Sequence, residues 1–502
     1  MWARNLLDRV GLGEAGVDVR FGRSVVLAVC AIYAILFLFF YPNAITNDDE
    51  SMYLRGAQVM LEGRASMSKL DALTGETVED VVSKYPIGTS TMMAPFVAVA
   101  GWKGGFVVPF LCLMGGVLVL ARWLQEEGRS PLWALLVLGN PVALVMGRVA
   151  MSDVPSFAVV TLGLWLFFRR SDRSWGPWLA SGFIAGLSMA WRETNAVIFA
   201  PFYAGAVLRR ERAWWPLVVG GLLGAAVSLY AKVLVFGDPL FVKSPYHFEF
   251  SLILGRVPLY LLALLVFVPG GLLLVQFYRG RRWPELILAV NGFVLIYLVQ
   301  EYFMWGTSPL KRWVLTPRYM LPIVPLMALA TAEVLPRLWR RLVEWTPTPR
   351  RKTLEAVVAG ALVLWIGGVA VAAAAVHPVF AAWSATQGRI SDAIAEHTDL
   401  ARVLVTNLSM TRKFVRELDR KYVPVTLEAM APGVAMDLAT RHGSFDIVLL
   451  DRNDGPYGIE LIALNAEFIA SIEPMNPILL FDRQMSATDR LRIWRVDRSR
   501  LP

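Results

Sequence analysis

Long apolar blocks recur along most of this 502-residue chain, and they limit its possible folds more than any other feature. The composition is 56% hydrophobic, and the mean hydropathy is +0.51. A bilayer core about 30 Å thick is crossed by about 20 apolar residues in a helix, because every backbone amide must be bonded internally. The sequence therefore predicts a polytopic α-helical membrane protein with about eleven transmembrane helices.

Apolar blocks of near-spanning length define the predicted transmembrane helices. They lie at 24 to 42, 104 to 121, 131 to 147, 154 to 168, 177 to 191, 194 to 208, 214 to 235, 257 to 278, 284 to 303, 318 to 336 and 354 to 376. The first block ends at Tyr41-Pro42-Asn43-Ala44, which is a poor small-x-small cleavage site. We therefore expect it to be a retained signal anchor.

Positive charge beside these blocks predicts their orientation, since Lys and Arg near a helix end favour the cytoplasmic side. With the N-terminus inside, every second loop is basic, including the loops that begin at Arg169, Arg209, Arg279 and Arg337. The alternate loops carry mixed or acidic charge and are expected outside. An odd number of spans then places the C-terminus on the extracytoplasmic side.

The formal net charge of +9 follows from this sidedness. A nucleic-acid partner is not expected, because that would need a basic face on a soluble domain. Cys30 and Cys112 both lie in apolar blocks, where small buried side chains are more common than a disulfide or a metal site.

The outer loop from 43 to 103 is too patterned to be a simple linker. Asp49 to Leu61 places apolar residues at helical spacing, with Asn47 or Asp48 as a possible N-cap and Gly63 as a stop, which predicts an amphipathic helix at the membrane surface. The apolar segment 87 to 101 is too short to span comfortably and predicts a second interfacial or shallowly inserted helix.

The chain changes character at about 378, where the apolar blocks stop. Strand-like runs then alternate with helical patterns, which predicts a small α/β domain. The expected strands are Val403 to Thr406, Val423 to Leu427, Ile447 to Leu450, Ile478 to Phe481 and Leu491 to Val496, and the expected helices lie at 387 to 397, 430 to 442 and 458 to 471. We thus expect a transmembrane domain over 1–377 and an extracytoplasmic domain over 378–502.

Ionisable residues are nearly absent from the span centres, where each is costly, and gather where the outer loops meet the spans. They are Asp48, Asp49, Glu50, Lys84, Arg148, Asp153, Arg192, Glu193, Lys243, His247, Arg312 and Arg318. An ion-driven transporter would more often place carboxylates near the midplane. The run Asp48, Asp49 and Glu50 repels itself by about 1–4 kcal/mol per pair at about 4 Å. It indicates either a functional site or a solvated helix N-terminus, where acids favour the dipole.

Four short segments carry a family resemblance. The segment Asn47-Asp48-Asp49-Glu50-Ser51-Met52-Tyr53-Leu54 resembles the Asp-Glu-x-x-Tyr motif of the GT-C superfamily of lipid-phosphate-dependent glycosyltransferases, which includes lipid A aminoarabinose transferases and protein O-mannosyltransferases. Lys84-Tyr85-Pro86-Ile87-Gly88 is similar to the Lys-Pro-Pro-Leu element but lacks one proline. Arg148-Val149-Ala150-Met151-Ser152-Asp153 resembles the second outer loop, and Pro317-Arg318-Tyr319-Met320-Leu321-Pro322 resembles the Arg-Tyr-x-x-Pro element.

The resemblance implies a GT-C-like fold and transfer of a sugar from a polyprenyl-phosphate donor. The acceptor would be a hydroxyl of an envelope glycan, lipid or protein at the outer face of a bacterial inner membrane. A hydroxyl attacks only when a base takes its proton. Asp49 aligns with the family's Asp and is the expected catalytic base, with Asp48 as the alternative, while Glu50 and Tyr53 are expected to position or bind the substrate.

The leaving phosphate needs cations near its developing charge. The candidates are Lys84, Arg148, Arg192 and Arg318, and the alternative for each is simple anchoring to lipid headgroups. Asp153 is expected to hold the acceptor or to orient a cation, with helix capping as the alternative.

No cofactor is expected, although Asp48, Asp49 and Asp153 offer oxygen ligands suited to magnesium or manganese. The family branches that the Asp-Glu motif resembles more closely work without a metal. Two other functions stay open: a transporter or flippase for a lipid-linked envelope molecule, and a non-catalytic membrane subunit whose soluble domain recruits a partner.

Overall fold

A computed structural model gives the structure of most of the chain. The described residues are 2–9, 11–12, 19–46, 48–64, 66–70, 76–81, 85–169, 175–212, 214–239, 250–251, 253–258, 268, 270–299, 316–407, 422–424, 441, 443–453, 456–497 and 499.

Helices make up most of the described chain. They are α1 (Trp2–Arg9), α2 (Val19–Phe39), α3 (Asp48–Leu61), α4 (Gly88–Ala100), α5 (Val107–Glu126), α6 (Leu135–Leu138), α7 (Pro141–Met146), α8 (Asp153–Phe168), α9 (Gly176–Leu187), α10 (Asn195–Leu208), α11 (Trp214–Phe236), α12 (Gly271–Gln276), α13 (Trp283–Val299), α14 (Val324–Trp345), α15 (Thr348–His397) and α16 (Pro456–Ile472). Short 3-10 helices cover Gly101–Phe106, Pro131–Ala134, Ser188–Ala190, Thr316–Ile323 and Glu473–Met475.

The strands form two separate sheets. They are β1 (Ser66–Leu70), β2 (Thr77–Val81), β3 (Val403–Thr406), β4 (Tyr422–Pro424), β5 (Phe445–Arg452), β6 (Ile478–Gln484) and β7 (Asp489–Val496). β1 and β2 pair as an antiparallel hairpin inside the outer loop, with Ser66 opposite Val81. This hairpin was not predicted from the sequence.

Hydropathy and helix length together show a multi-pass membrane protein. Within the described residues, four helical segments are long and apolar enough to cross a membrane: Val19–Phe39, Gly88–Glu126, Trp214–Phe236 and Arg318–Trp345. Shorter apolar helices cover Asp153–Phe168, Asn195–Leu208 and Trp283–Val299. The total of eleven spans stays a prediction, since residues 259–267 and 269 of the segment 257 to 278 lie outside the described residues.

The predicted span at 131 to 147 is wrong as a single helix. It consists of the 3-10 helix Pro131–Ala134 followed by α6 and α7. Gly139 and Asn140 interrupt the helix, and the Asn140 side chain accepts a hydrogen bond of 2.9 Å from the Val142 amide to cap α7. Pro141 then occupies the first turn, where it removes no helical hydrogen bond.

Helices α9 and α11 pack with their backbones in close approach. A Cβ added at any of four glycines would overlap a backbone carbonyl oxygen of the facing helix; these are Gly182, Gly186, Gly220 and Gly224. Their spacing of four residues is the small-x-x-x-small pattern of tightly packed membrane helices. Ser228 continues the stripe and donates to the carbonyl oxygens of Gly186 and Leu187 at 3.3 and 3.1 Å.

The chain divides into two units. The first comprises Met1–Tyr41, Val107–Phe303 and Pro309–Val379, and the second comprises Pro42–Phe106, Met304–Ser308 and Phe380–Pro502. The predicted division at 377 and 378 stays a prediction. The segments 354 to 376 and 387 to 397, predicted as separate helices, both belong to α15.

Within the second unit, α3 packs against α4. The predicted helix in this region is confirmed, and Gly63 ends it as expected: Gly63 has φ +69°, and the Arg64 amide donates to the Val59 carbonyl at 2.9 Å. The burial pattern differs from that of an amphipathic surface helix, because Leu61 is the one exposed side chain among those described in α3.

The C-terminal part of the second unit is a five-stranded mixed sheet in the order β4-β3-β5-β7-β6. β3 runs parallel to β4 and β5, whereas β7 runs antiparallel to β5 and β6. Alternate residues point to opposite faces. The end of α15 covers one face through Ile390 and Ile394, and α16 covers the other through Phe468 and Ile472. The predicted small α/β domain is confirmed to this extent.

Candidate functional site

Asp153, the first residue of α8, lies between two arginine side chains of the first unit. Arg192 donates to Asp153 Oδ1 at 2.6 Å and to Ser152 Oγ at 3.3 Å. Arg318, in the 3-10 helix that precedes α14, has its Nε 4.0 Å from the same Asp153 oxygen. The exposed fractions of the three side chains are 0% for Asp153, 11% for Arg192 and 10% for Arg318. Among the described contacts, the two guanidinium groups meet at one carboxylate oxygen, and guanidinium groups are well suited to bind phosphate through charge-assisted hydrogen bonds.

An aromatic pair supports both arginines. The guanidinium carbons of Arg192 and Arg318 each lie 5.0 Å from the ring centroid of Tyr319, and Arg318 donates to the Tyr319 hydroxyl at 3.0 Å. Tyr297 stacks on Tyr319 with the ring centroids 5.2 Å apart, and its hydroxyl lies 3.0 Å from Thr194 Oγ1. These contacts fix the two cations, so little side-chain freedom is left to lose when an anion binds.

A second ion pair follows directly in sequence. Lys232 of α11 donates to Glu193 at 2.8 Å, with exposed fractions of 8% for the lysine side chain and 31% for the glutamate side chain. A charge in an apolar helix is costly unless it is paired, and Glu193 supplies the partner. Lys232 lies outside the four motif segments.

Arg148 is fully buried in the first unit and belongs to a different set of contacts. Its guanidinium donates to His377 Nδ1 and to the carbonyl oxygen of Phe40, and its central carbon lies 5.5 Å from the Phe37 ring centroid. Because Arg148 donates, His377 accepts at Nδ1 and carries its proton on Nε2. Through these contacts, the Arg148 side chain connects the loop before α8 to the end of α2 and to α15.

Asp49 lies in the first turn of α3 in the second unit. Its Oδ1 accepts a hydrogen bond from the Tyr85 hydroxyl. Tyr53, one helical turn after Asp49, faces Tyr85 with the ring centroids 5.0 Å apart. The Ser90 hydroxyl of α4 donates to the Tyr53 carbonyl oxygen at 2.9 Å. Asp49 and Tyr85 are both half-buried.

Glu50 is fully buried beside Asp49, and its described contacts are local. The Thr46 amide and hydroxyl donate to Glu50 Oε2 at 2.5 and 2.7 Å. A carboxylate that reaches back over the first turn in this way satisfies a backbone amide just before the helix and fixes the entry of the chain into α3. These bonds fit the positioning role that the sequence analysis considered for Glu50 better than they fit direct contact with a sugar.

Several predicted site residues lie outside the described residues or lack a described side chain. Lys84, Lys243, His247 and Arg312 lie outside, and for Asp48 only the backbone is described. Among the described residues, no group of three or more His, Cys, Asp or Glu side chains could hold a metal ion.

Solved structures resemble the fold of this chain. The chain matches the crystal structure of ArnT from Cupriavidus metallidurans in the apo state with a TM-score of 0.61 and 14% identity, over 95% of this chain and 98% of that chain. The undecaprenyl phosphate-bound structure of that protein gives a TM-score of 0.61 and 13% identity, with the same coverage. The chain has the GT-C fold.

A more distant GT-C structure also matches. The apo oligosaccharyltransferase of Archaeoglobus fulgidus gives a TM-score of 0.52 and 10% identity, over 92% of this chain and 73% of that chain. No protein-family model matches the sequence, and neither does any curated protein. The GT-C fold therefore rests on structural similarity and agrees with the fold that the four short motifs predicted.

Within the GT-C fold, the structure brings some predicted residues together and adds others. Arg192, Arg318 and Asp153 form one cluster in the first unit. Tyr85 and His377 were not predicted as site or structural residues. For Tyr85, the departure of the Lys-Pro-Pro-Leu-like element from the family pattern was a signal in the sequence. For His377 there was none, because it lies 229 residues from Arg148 and no local pattern links the two.

Proposed function

We propose that this protein is a membrane glycosyltransferase that moves a sugar from a polyprenyl-phosphate donor to an envelope hydroxyl. The observation that carries the proposal is the largely buried cluster of Arg192, Arg318 and Asp153, whose two guanidinium groups suit a phosphate. The GT-C fold supports it, because ArnT of C. metallidurans shares this fold over 95% of the chain and was solved with undecaprenyl phosphate bound.

The proposed reaction needs one base and a stabilised leaving group. The acceptor oxygen attacks the anomeric carbon while its proton passes to the Asp49 carboxylate. The bond from that carbon to the phosphate oxygen breaks, and the polyprenyl phosphate leaves with the electron pair. Arg192 and Arg318 stabilise the charge that develops on the phosphate.

Asp153 has two parts in this proposal. Its Oδ1 holds Arg192 and lies beside Arg318. Its Oδ2 is buried and has no hydrogen-bond partner among the described residues. A buried acceptor without a partner is costly, and a hydroxyl of the donor sugar or of the acceptor would satisfy it.

Transfer is tested in membranes from cells that produce the chain, with a panel of undecaprenyl-phosphate-linked hexoses and pentoses. Release of free undecaprenyl phosphate reports turnover, and the membranes supply the acceptor. Asp49→Asn should abolish release while the protein still binds undecaprenyl phosphate. Near-normal release by Asp49→Asn would show that Asp49 is not the base.

Arg318→Gln tests the phosphate-binding role. One charge-assisted hydrogen bond is worth about 1.5–3 kcal/mol, so the KM for the donor should rise about tenfold or more. Arg340→Gln is the matched control, because Arg340 is an exposed arginine of α14. Equal effects of the two substitutions would refute a specific role for Arg318.

The transporter alternative makes the opposite prediction for Asp49. A flippase forms no glycosidic bond, so its movement of lipid between leaflets should survive Asp49→Asn. The expected bacterial inner-membrane location, with the C-terminal domain outside the cytoplasm, belongs to the proposal as well. Labelling of single cysteines in α15 on intact cells with a membrane-impermeant maleimide tests that orientation.

A further inference from the structure

We propose that Tyr85 is a positioning residue that holds the Asp49 carboxylate in the orientation needed for proton transfer. The inference rests on the proposed role of Asp49 as the base. It concerns a residue for which the GT-C motifs give no role, since the resembling element has a proline where this chain lacks one.

Tyr85 contacts two residues on one face of α3. Asp49 and Tyr53 are four positions apart and therefore lie one above the other on the helix. The Tyr85 hydroxyl donates to Asp49 Oδ1, and its ring lies against Tyr53 at a centroid distance of 5.0 Å with the ring planes 32° apart. The phenol is thus held at both its ring and its hydroxyl.

The packing of α3 against α4 fixes where this phenol lies. Tyr85 precedes the start of α4 by three residues, and Ser90 in the first turn of α4 donates to the Tyr53 carbonyl oxygen at 2.9 Å. Ser90 and Tyr53 are both buried. On the other side, Glu50 is bound to Thr46, so the first turn of α3 is fixed as well.

A base must hold its oxygen within about 2.6–3.2 Å of the proton that it removes. Rotation of an aspartate carboxyl group moves its oxygens by more than the width of this distance range. A misplacement of about 1 Å can lower the rate about 10²-fold. A donor that holds Oδ1 stops the rotation. Proline carries no side-chain donor, so this restraint depends on the tyrosine of this chain.

Tyr85→Phe removes the hydroxyl and keeps the ring beside Tyr53. We expect kcat for a turned-over undecaprenyl-phosphate-linked monosaccharide to fall roughly tenfold to a hundredfold, because the carboxylate loses the donor that fixes Oδ1. The KM for this donor should stay within about twofold, since lost orientation acts on the transition state rather than on donor binding. Tyr85→Pro, which also lacks a donor, should lower kcat in the same way.

Tyr203→Phe is the matched control for loss of a phenol. The Tyr203 hydroxyl is bonded to Ser181 in the first unit, at 2.7 Å from its carbonyl oxygen. Like Tyr85→Phe, Tyr203→Phe loses the hydrogen bonds of one phenol, but its kcat should stay at the wild-type value. Thermal unfolding and binding of undecaprenyl phosphate, measured on every variant, separate a kinetic effect from a folding defect.

The outcomes separate the two assignments. If Asp49→Asn is inactive and both Tyr85 variants keep kcat within twofold, the positioning role is overturned and the base assignment stands. If Asp49→Asn retains transfer, the base assignment fails and the role of Tyr85 fails with it. A rise in the donor KM in place of a fall in kcat would also overturn the inference, because it would make Tyr85 a binding residue.

Discussion

The contact between α9 and α11 gives the most sharply controlled prediction. In Gly224→Ala, the new methyl group would overlap the carbonyl oxygen of Phe183 on α9. Relief of this overlap needs the helices to move apart by on the order of 1 Å, and the hydrogen bonds of Ser228 to α9 then weaken. Overpacking of this kind costs about 1–3 kcal/mol. We expect the free energy of unfolding to fall by about that amount.

Gly221→Ala is the matched control on the same helix. The nearest atom to its added methyl group is the Gly182 carbonyl oxygen at 3.9 Å, which is an ordinary van der Waals distance. Both substitutions raise helix propensity by roughly 0.5–1 kcal/mol, so their difference isolates the steric clash. Gly221→Ala should be neutral or slightly stabilising.

The assay is reversible unfolding of the purified protein in mixed micelles, followed by tryptophan fluorescence. The two variants should differ by more than about 1 kcal/mol, with Gly224→Ala the less stable. Equal stabilities would refute the close backbone approach of α9 and α11, because only that approach distinguishes two neighbouring glycines of one helix.

Three further substitutions test the described contacts. Asp153→Asn should lower the free energy of unfolding by about 3–5 kcal/mol. Undecaprenyl phosphate should raise the melting temperature of this variant more than that of the wild type, since the phosphate charge replaces the lost carboxylate beside Arg192; equal rises in the two melting temperatures would contradict this role of the carboxylate. His377→Ala should lower the free energy of unfolding in micelles by about 1–3 kcal/mol, because Arg148 loses a buried acceptor; an unchanged free energy of unfolding would contradict the contact. Hydrogen bonds from Arg490 of β7 hold the pKa of Asp482 below its ordinary value of 3.8. A carboxyl group with a lowered folded-state pKa stabilises the fold above its unfolded pKa and loses that contribution as the pH falls, so Asp482→Asn should speed hydrogen exchange in β6 more at pH 7 than at pH 2, and equal effects at both pH values would contradict this.

Hydropathy predicted the membrane helices where the apolar run was uninterrupted. The expectations at 154 to 168 and 194 to 208 differ by one residue from the observed starts of α8 and α10. The prediction of a single helix over 131 to 147 was wrong because a mean hydropathy over the segment does not reveal the local break at Gly139, Asn140 and Pro141. Average hydrophobicity measures burial, whereas helix continuity depends on single residues that cap or stop a helix.

The candidate site was predicted less completely than the fold. Motif order placed Arg318 and Asp153 among the site residues, and the structure brings them to 4.0 Å. The contacts of Arg148 with Phe40 and His377 could not be predicted, because side-chain partners more than a hundred residues apart leave no periodic signal in one sequence. Charge at a membrane rim therefore indicates candidate residues but does not separate ligand-binding arginines from structural ones.

Burial of the cluster formed by Asp153, Arg192 and Arg318 determines how it should respond to ionic strength. Mobile ions screen exposed charges over about 8 Å at physiological salt, but they screen buried charges much less. An anion held by Arg192 and Arg318 should therefore stay bound at salt concentrations that strip anions from an exposed arginine such as Arg340. Under the proposed function, such retention would keep the affinity for the phosphate of the lipid-linked donor nearly constant as the external medium changes.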